Sequence, residues 1–186
     1  DGFMMTEGSA TLILEEMESA QSRGAHIYGE ILGSGSNADA HHVTAPAPGG
    51  HGAARCMQLA IEDAGLTSEE ICYVNAHGTS TPLNDAAEAE AISKVFGENG
   101  PPVTSTKGVT GHALGAAGAL EATSVLLSFQ HRQIPPTAGF TVPDPDMAAI
   151  NLVTGSARDW EPGPSMSNSF GFGGHNGCLV LAPLDT

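Results

Sequence analysis

The chain has 186 residues, a length typical of one domain with a sizeable apolar core. Apolar residues make up 40% of it and charged residues only 15%, a composition that excludes intrinsic disorder. With 21 acidic and 6 basic side chains, the net charge of −15 argues against direct binding to nucleic acid or to an anionic membrane surface, because both need lysine and arginine.

The cysteines and the chain start give two further expectations. Cys56, Cys72 and Cys178 are an odd number without a C-x-x-C pair, which indicates free thiols in a reducing compartment. Glu121 interrupts the longest apolar run, so no membrane span is predicted. Because the first residue is Asp1 rather than Met, we expect a piece of a longer polypeptide.

Hydrophobic periodicity and glycine stops predict helices that alternate with strands. In chain order the predicted elements are a helix at 15–23, a strand at 26–32, a glycine-rich loop at 33–52, a helix at 53–64, a strand at 71–74, a helix from 84 or 85 that ends at Gly97, a strand at 103–105, a helix at 113–130, and a hairpin of strands 166–170 and 178–181. This alternation predicts an α/β layered domain with a mixed sheet.

Three local patterns favour structural interpretations. Residues 33–38 match G-x-G-x-x-A, but no helix start follows to hold a pyrophosphate, so a loop is predicted. His41 and His42 are adjacent and cannot both face one ion, which makes a metal site the weaker interpretation. Glu88 follows Asp85 by three residues, a partial capping box at the start of a helix.

Two loops between a strand and a helix carry candidate chemistry, because α/β sheets present their sites at strand carboxyl ends. The first is Asn75-Ala-His77-Gly-Thr79-Ser-Thr81-Pro82, in which His77 is either a ligand-facing group or a histidine bonded into a turn. The second is Ser105-Thr-Lys107-Gly-Val-Thr-Gly111-His112. Glu121, nine residues after His112, either neutralises Lys107 or is an ordinary polar-face residue.

A third loop, Asn168-Ser-Phe-Gly-Phe172-Gly-Gly-His-Asn-Gly177, contains more glycines than a simple hairpin needs. Glycines let backbone N–H groups point at an anionic oxygen, which is the requirement for an oxyanion hole. Two histidine loops and one donor loop in an α/β domain suggest acyl or carbanion chemistry.

These three motifs, in this order, resemble the β-ketoacyl-acyl carrier protein synthases of the thiolase superfamily. The opening Asp1-Gly-Phe3, Glu7-Gly8 and Leu12-Ile-Leu-Glu-Glu16 are also similar to that family, and the elongating type II branch is the most similar. The resemblance implies the thiolase-like fold, a five-layer α-β-α-β-α sandwich built from two α/β halves. Residues 1–33 would end the N-terminal half, and residues 34–186 would form the C-terminal half.

The resemblance also implies a mechanism, a decarboxylative Claisen condensation of an acyl thioester with malonyl-carrier protein. His77 and His112 would stabilise the enolate oxygen, and Lys107 with its partner Glu121 would hold the local charge and orient His112. The hydroxyls of Thr79 and Thr81 would bind the phosphopantetheine arm.

The resemblance assigns Phe172 two functions. Its backbone N–H would supply half of the oxyanion hole, and its ring would gate the acyl pocket. No segment matches the nucleophilic cysteine elbow of the family. Cys56, Cys72 and Cys178 are therefore interpreted as small core residues, and the fragment alone is expected to be inactive.

The implied partners are acyl carrier protein, an N-terminal half that carries the cysteine nucleophile, and a second copy in a homodimer. No metal or other cofactor is expected on this chain, because phosphopantetheine arrives on the carrier. The implied location is the cytoplasm, or a plastid or mitochondrion in a eukaryote. Three alternatives remain: a polyketide ketosynthase, a non-catalytic chain-length subunit, and a degradative thiolase, which the setting of Cys178 does not favour.

Overall fold

The structure is a computed structural model that describes residues 2–184. The helices are α1 (Met17–Ser22), α2 (His51–Asp63), α3 (Pro82–Phe96), α4 (Lys107–Thr110) and α5 (Ala117–His131). The strands are β1 (Glu30–Ala38), β2 (Tyr73–Asn75), β3 (Val103–Thr104), β4 (Gln133–Ile134), β5 (Arg158–Asp159), β6 (Ser165–Gly171) and β7 (His175–Ala182). Single 3₁₀ turns lie at Pro48–Gly50, Ser68–Glu70 and Leu114–Ala116.

Five strands form one mixed sheet in the order β1-β7-β6-β2-β3. The β1, β7 and β6 strands are antiparallel neighbours, whereas β2 runs parallel to both β6 and β3. The predicted α/β class and mixed sheet are therefore confirmed. Strands β4 and β5, which the sequence analysis missed, form a separate two-stranded ribbon of two residues each, too short for a periodic pattern.

Helices cover both faces of this sheet and bury a separate apolar cluster on each. Met57 of α2 and Ile92 of α3 pack with Val74 and Met166 on one face. Val125 of α5 packs on the other face in a cluster that includes the side chains Tyr73, Phe129 and Leu181. The chain thus forms a helix–sheet–helix sandwich, with the carboxyl ends of β2 and β3 open at one edge.

The predicted strand at 26–32 and the predicted loop at 33–52 were both wrong in their bounds, because β1 begins at Glu30 and continues to Ala38. Gly33 and Gly35 are buried on the face of β1 that meets α2. A Cβ atom on Gly35 would lie 2.2 Å from the Cys56 carbonyl oxygen, and one on Gly33 would lie 2.4 Å from the Ala64 nitrogen. These glycines permit close approach of a helix backbone, a use that composition does not distinguish from a loop.

The prediction of a partial capping box formed by Asp85 and Glu88 was wrong. Helix α3 begins at Pro82, three residues before Asp85, with Thr81 as its N-cap. Asp85 accepts the Ser80 N–H instead, and Glu88 turns into the protein interior. The last long helix also begins later than predicted, at Ala117, because a 3₁₀ turn precedes it.

The proposed division between residues 33 and 34 stays a prediction. Strand β1 includes residues on both sides of it. Among the described residues, no helix combines the length and the apolar character needed to cross a bilayer.

Candidate active site

The candidate site forms where β2 and β3 end side by side. Asn75 of β2 pairs with Thr104 of β3 and with Ser167 of β6 in parallel register. The loop after β2 carries His77, and Lys107 opens α4 directly after β3. The sheet therefore brings two loops that are 30 residues apart in sequence to one edge.

Lys107 is the centre of this arrangement and is only 9% exposed. Its ammonium group donates to Glu121 Oε1 and to the His77 carbonyl oxygen, and lies 3.3 Å from His77 Nδ1. A lysine ammonium has three protons and accepts none, so His77 Nδ1 is the acceptor in that contact. Of the two interpretations of Glu121, the ion pair with Lys107 is the one observed.

Burial dominates the electrostatics of this pair. It raises the pKa of Glu121 to about 7, against the opposing effect of the Lys107 charge. Glu121 is 2% exposed, and its second carboxylate oxygen has no hydrogen-bond partner within the described residues. The contacts of the Lys107 ammonium thus fix the position of the ion pair, because this group lies between the Glu121 carboxylate and His77, a candidate catalytic residue.

Both histidines are neutral at pH 7. Burial lowers the pKa of His77 to about 3, with further lowering by the Lys107 charge and by His112. Burial and the Lys107 charge also lower the pKa of His112. The ring centroids lie 5.4 Å apart with the planes at 82°, so the two imidazoles meet edge to face.

The second histidine is also fixed as one tautomer. Lys107 was expected to orient His112, but it contacts His77, and the Leu114 N–H holds the His112 ring instead by donating to Nδ1 at 3.2 Å. The ring proton of neutral His112 is therefore on Nε2. The same reasoning places the ring proton of His77 on Nε2, because its Nδ1 accepts from Lys107. The site therefore holds two neighbouring neutral imidazoles that each present an Nε2–H donor.

Glu88, which was predicted only as part of a helix cap, fixes the backbone around His77. Its carboxylate accepts the His77 and Gly78 N–H groups, each at 2.8 Å, and the Asn168 side-chain amide at 3.1 Å. Burial raises the pKa of Glu88, while these three hydrogen bonds and the Lys107 charge lower it. The available signal was its position among buried residues of α3, four residues before Ile92.

The chain start is a second feature that local patterns did not reveal. His112 donates its N–H to the Met4 carbonyl at 2.8 Å and accepts the Thr6 N–H at 3.1 Å. Its ring meets the Phe3 ring at a centroid distance of 4.9 Å. The His112 backbone is thus held like a strand residue by residues 4–6, more than 100 positions earlier in the sequence.

A cavity of about 650 Å³ opens beside these groups. Thr79 and Thr81 line it, with their hydroxyls 2.8 Å apart, and Lys107 and His112 also lie on its wall. The two threonines thus share one cavity with Lys107 and His112, whereas His77 is not among the lining residues.

Phe172 lies apart from this cluster, 67% exposed in the turn between β6 and β7. That turn is held from outside the sheet, since Gly173 donates to the Val43 carbonyl and Asp39 donates to the Gly174 carbonyl. Phe170 lies two residues earlier, on β6, and its ring is the one that approaches His77, with the two ring centroids 5.9 Å apart. The oxyanion and gating functions of Phe172 stay predictions.

None of the three cysteines forms a hydrogen bond with His77 or His112 among the described residues. Cys56 and Cys178 are buried in the apolar cluster between α2 and the sheet, as predicted for small core residues. The same prediction was wrong for Cys72, which is only partly buried, lies directly before β2 and belongs to neither apolar cluster.

A sequence profile of the family described as "Beta-ketoacyl synthase, C-terminal domain" matches residues 28–141. The 3-oxoacyl-[acyl-carrier-protein] synthase 2 of Staphylococcus aureus is 50% identical over 183 residues, which are 97% of this chain and 45% of that protein. The enzyme of that name from Synechocystis sp. is 48% identical, over 97% of this chain and 44% of the relative. The chain thus spans less than half the length of these relatives.

Solved structures of ketosynthases superpose closely. A β-ketoacyl synthase from Burkholderia phymatum is 44% identical with a TM-score of 0.88, over 92% of this chain and 41% of that one. A ketosynthase of a type II polyketide synthase, solved with its acyl-carrier protein, is 36% identical with a TM-score of 0.88, over 92% and 42%. The thiolase-like fold expected from the motifs is confirmed.

Proposed function

The chain belongs to the β-ketoacyl synthase family, and we propose that it is the C-terminal part of a β-ketoacyl-acyl carrier protein synthase of fatty-acid biosynthesis. The observation that carries this proposal is the pair of neutral imidazoles, each with Nδ1 occupied and Nε2 protonated. Two N–H donors side by side suit an oxygen that gains negative charge during the reaction.

In the proposed reaction, the bond between C2 and the carboxylate carbon of malonyl-carrier protein breaks and CO₂ leaves. The electron pair moves into the thioester to give an enolate, whose oxygen accepts the Nε2–H groups of His77 and His112. Carbon 2 then attacks the acyl thioester on a cysteine sulfur, and the thiolate leaves from the tetrahedral intermediate. The backbone N–H of Phe172 would bind the oxygen of that intermediate.

Lys107 keeps the donors ready for this chemistry. Its contact with Nδ1 selects the His77 tautomer, and its charge opposes protonation of both rings. Glu121 holds the ammonium group in place through the buried ion pair. Thr79 and Thr81 would hydrogen-bond the phosphopantetheine arm within the cavity that they line.

The proposed partners follow from this reaction. Acyl carrier protein would deliver both substrates, an N-terminal half would supply the nucleophilic cysteine, and two copies would form a dimer. The fragment alone would be inactive, because no segment of it matches the nucleophilic cysteine elbow of the family. The chain would bring no cofactor of its own, and the reaction would take place in the cytoplasm.

Release of CO₂ from malonyl-carrier protein tests the proposal. The full-length polypeptide that contains this chain is expected to release CO₂, and its His77→Ala variant to lose about 10²-fold or more of that rate. His131→Ala is the matched control, because His131 is an exposed histidine at the end of α5. An intact protein that releases no CO₂, or a His77→Ala variant as fast as the control, would refute it.

A second candidate, a ketosynthase of polyketide synthesis, is favoured by the similarity to the polyketide enzyme above. The two candidates share the condensation and differ in the product. A fatty-acid enzyme accepts a fully reduced acyl chain, whereas a polyketide enzyme extends an unreduced β-keto chain. Incubation with saturated and with β-ketoacyl carrier proteins separates them.

A further inference from the structure

The backbone of the His77–Gly78 dipeptide is held entirely by side chains. Its two N–H groups donate to the two oxygens of Glu88, and its two carbonyl oxygens accept from Lys107 and from Ser105 Oγ. The dipeptide follows β2 and precedes α3, so no helix or strand hydrogen bond fixes it. The position of the His77 ring therefore depends on three side chains.

Ser105 is the one of these three with no charge and no contact to an imidazole. Its hydroxyl donates to the Gly78 carbonyl at 2.9 Å and accepts the Lys107 N–H at 3.4 Å. Its own N–H donates to Thr137 Oγ1 at 3.2 Å. One oxygen atom thus joins the backbone of the His77 loop to the backbone of the lysine that orients it.

The packing around this hydroxyl is tight. Ser105 is 8% exposed, and Gly78 has a φ of +41°. A Cβ atom on Gly78 would lie 2.6 Å from Ser105 Cβ, so the loop approaches Ser105 as closely as glycine permits. Loss of the hydroxyl would leave the Gly78 carbonyl without its partner and would free this contact to shift.

We propose that Ser105 is a positioning residue for His77 in the decarboxylation step, an inference that rests on the proposed function. It acts through the Gly78 carbonyl and the Lys107 backbone and touches no reacting atom. It holds the His77 ring in the position from which the Nε2–H groups of His77 and His112 can donate to the same oxygen. Displacement of a donor by about 1 Å can cost up to 10²-fold in rate.

The test compares Ser105→Ala with Ser128→Ala in the full-length polypeptide. Ser128 is a matched control: it is buried, and its hydroxyl also donates to a backbone carbonyl, that of Ser124 within α5. Both variants are expected to lose a small part of their thermal stability, since Ser105→Ala removes two hydrogen bonds of the hydroxyl and Ser128→Ala removes one. Only Ser105→Ala is expected to lose about 10-fold in kcat for CO₂ release, with KM within about 2-fold of wild type.

A Ser105→Ala kcat equal to that of Ser128→Ala overturns the inference. Thr137→Val is a second variant, which removes the acceptor of the Ser105 N–H and leaves the hydroxyl in place. It is expected to lower kcat in the same direction by about 3-fold. If Ser105→Ala does not fold, an unchanged kcat in Thr137→Val overturns the inference instead.

If the wild-type protein releases no CO₂, the proposed function is refuted. The positioning of His77 by Ser105 is then tested from structures instead of rates. Crystal structures of wild type and both serine variants then give the answer. The His77 ring is expected to move by about 0.5 Å or more in Ser105→Ala alone. A ring that stays in place in Ser105→Ala overturns the inference about Ser105 independently of activity.

Discussion

The two histidine loops reach the same cavity edge by different means. The His77 loop is buried, and charged or hydroxyl side chains hold its backbone. The His112 loop is partly exposed, and the backbone of residues 4–6 holds it in a strand-like pairing. Single substitutions therefore threaten His77 far more than His112, because a side chain can be replaced and a backbone group cannot.

The largest expected effect comes from removing the cation that serves the His77 loop. Lys107→Met should lower kcat for CO₂ release by about 10³-fold, because His77 loses the donor that fixes its tautomer and Glu121 is left buried without a partner. The acid limb of the rate profile should also move to higher pH, since the Lys107 charge lowers the His77 pKa. Since the pKa of His77 is about 3, rates measured from pH 3 to pH 9 check both statements.

Lys94→Met is the control, because Lys94 forms an exposed pair with Glu90 on α3. It should change neither the rate nor the profile. An unshifted acid limb in Lys107→Met would mean that Lys107 does not set the protonation of the histidines.

A smaller loss is expected at the carboxylate below the same loop. Glu88→Gln replaces one acceptor oxygen by an amide that cannot accept, so one loop N–H is left unpaired. The free energy of unfolding should fall by about 2 to 3 kcal/mol, measured by urea denaturation. Glu90→Gln, on the exposed side of α3, should change it by less than about 0.5 kcal/mol. Equal losses in the two variants would remove the distinction between buried and exposed carboxylates on this helix.

The pH dependence of stability separates the two histidines. The pKa of His77 is lower in the folded state than in the unfolded state. The contribution of the neutral His77 ring to the free energy of unfolding is therefore complete above pH 6.5 and is lost as the pH falls toward 3. Wild type should therefore lose about 2 kcal/mol relative to His77→Gln between pH 7 and pH 5. His112→Gln should show the same sign with a smaller slope, because His112 is only partly buried. A larger slope for His112 would reverse the comparison.

The smallest effect is expected at Leu114 in the His112 loop, because this residue contacts the His112 ring only through its backbone N–H. Leu114 has a φ of +51°, and both Leu114→Gly and Leu114→Ala keep the N–H that bonds His112. Each should leave kcat within about 2-fold of wild type. Glycine should give the more stable protein by about 1 kcal/mol, because it adopts left-handed backbone without strain. A large fall in kcat for both would show that the side chain matters.

Sequence reasoning identified the parts of this site that local patterns describe. Apolar runs that end in glycine and hydroxyl residues placed His77 and Lys107 after strands, and the structure brings them together. It failed where a residue acts over distance. Glu88 looks like a helix cap, because caps and buried clamps both use an acidic residue near a helix start. The pairing of residues 4–6 with His112 leaves no local trace at all.

The glycines of β1 failed for a related reason. A strand with small residues on its buried face resembles a loop in composition, and only the approach of α2 explains why Gly33 and Gly35 are there. The sequence shows the preference of each residue for backbone conformations. It does not show which backbone lies opposite.

The pairing of residues 4–6 with His112 also bears on the chain entropy that the site costs to form. Lys107 and Glu121 are 14 residues apart, and Lys107 and His77 are 30 apart. Thr6 and Thr110, which hold the His112 loop, are separated by 104. Because closure of a longer loop costs more chain entropy, the contacts that hold the His112 loop cost more entropy to form than the ion pair does. The second donor is thus the one whose position costs the chain more conformational freedom.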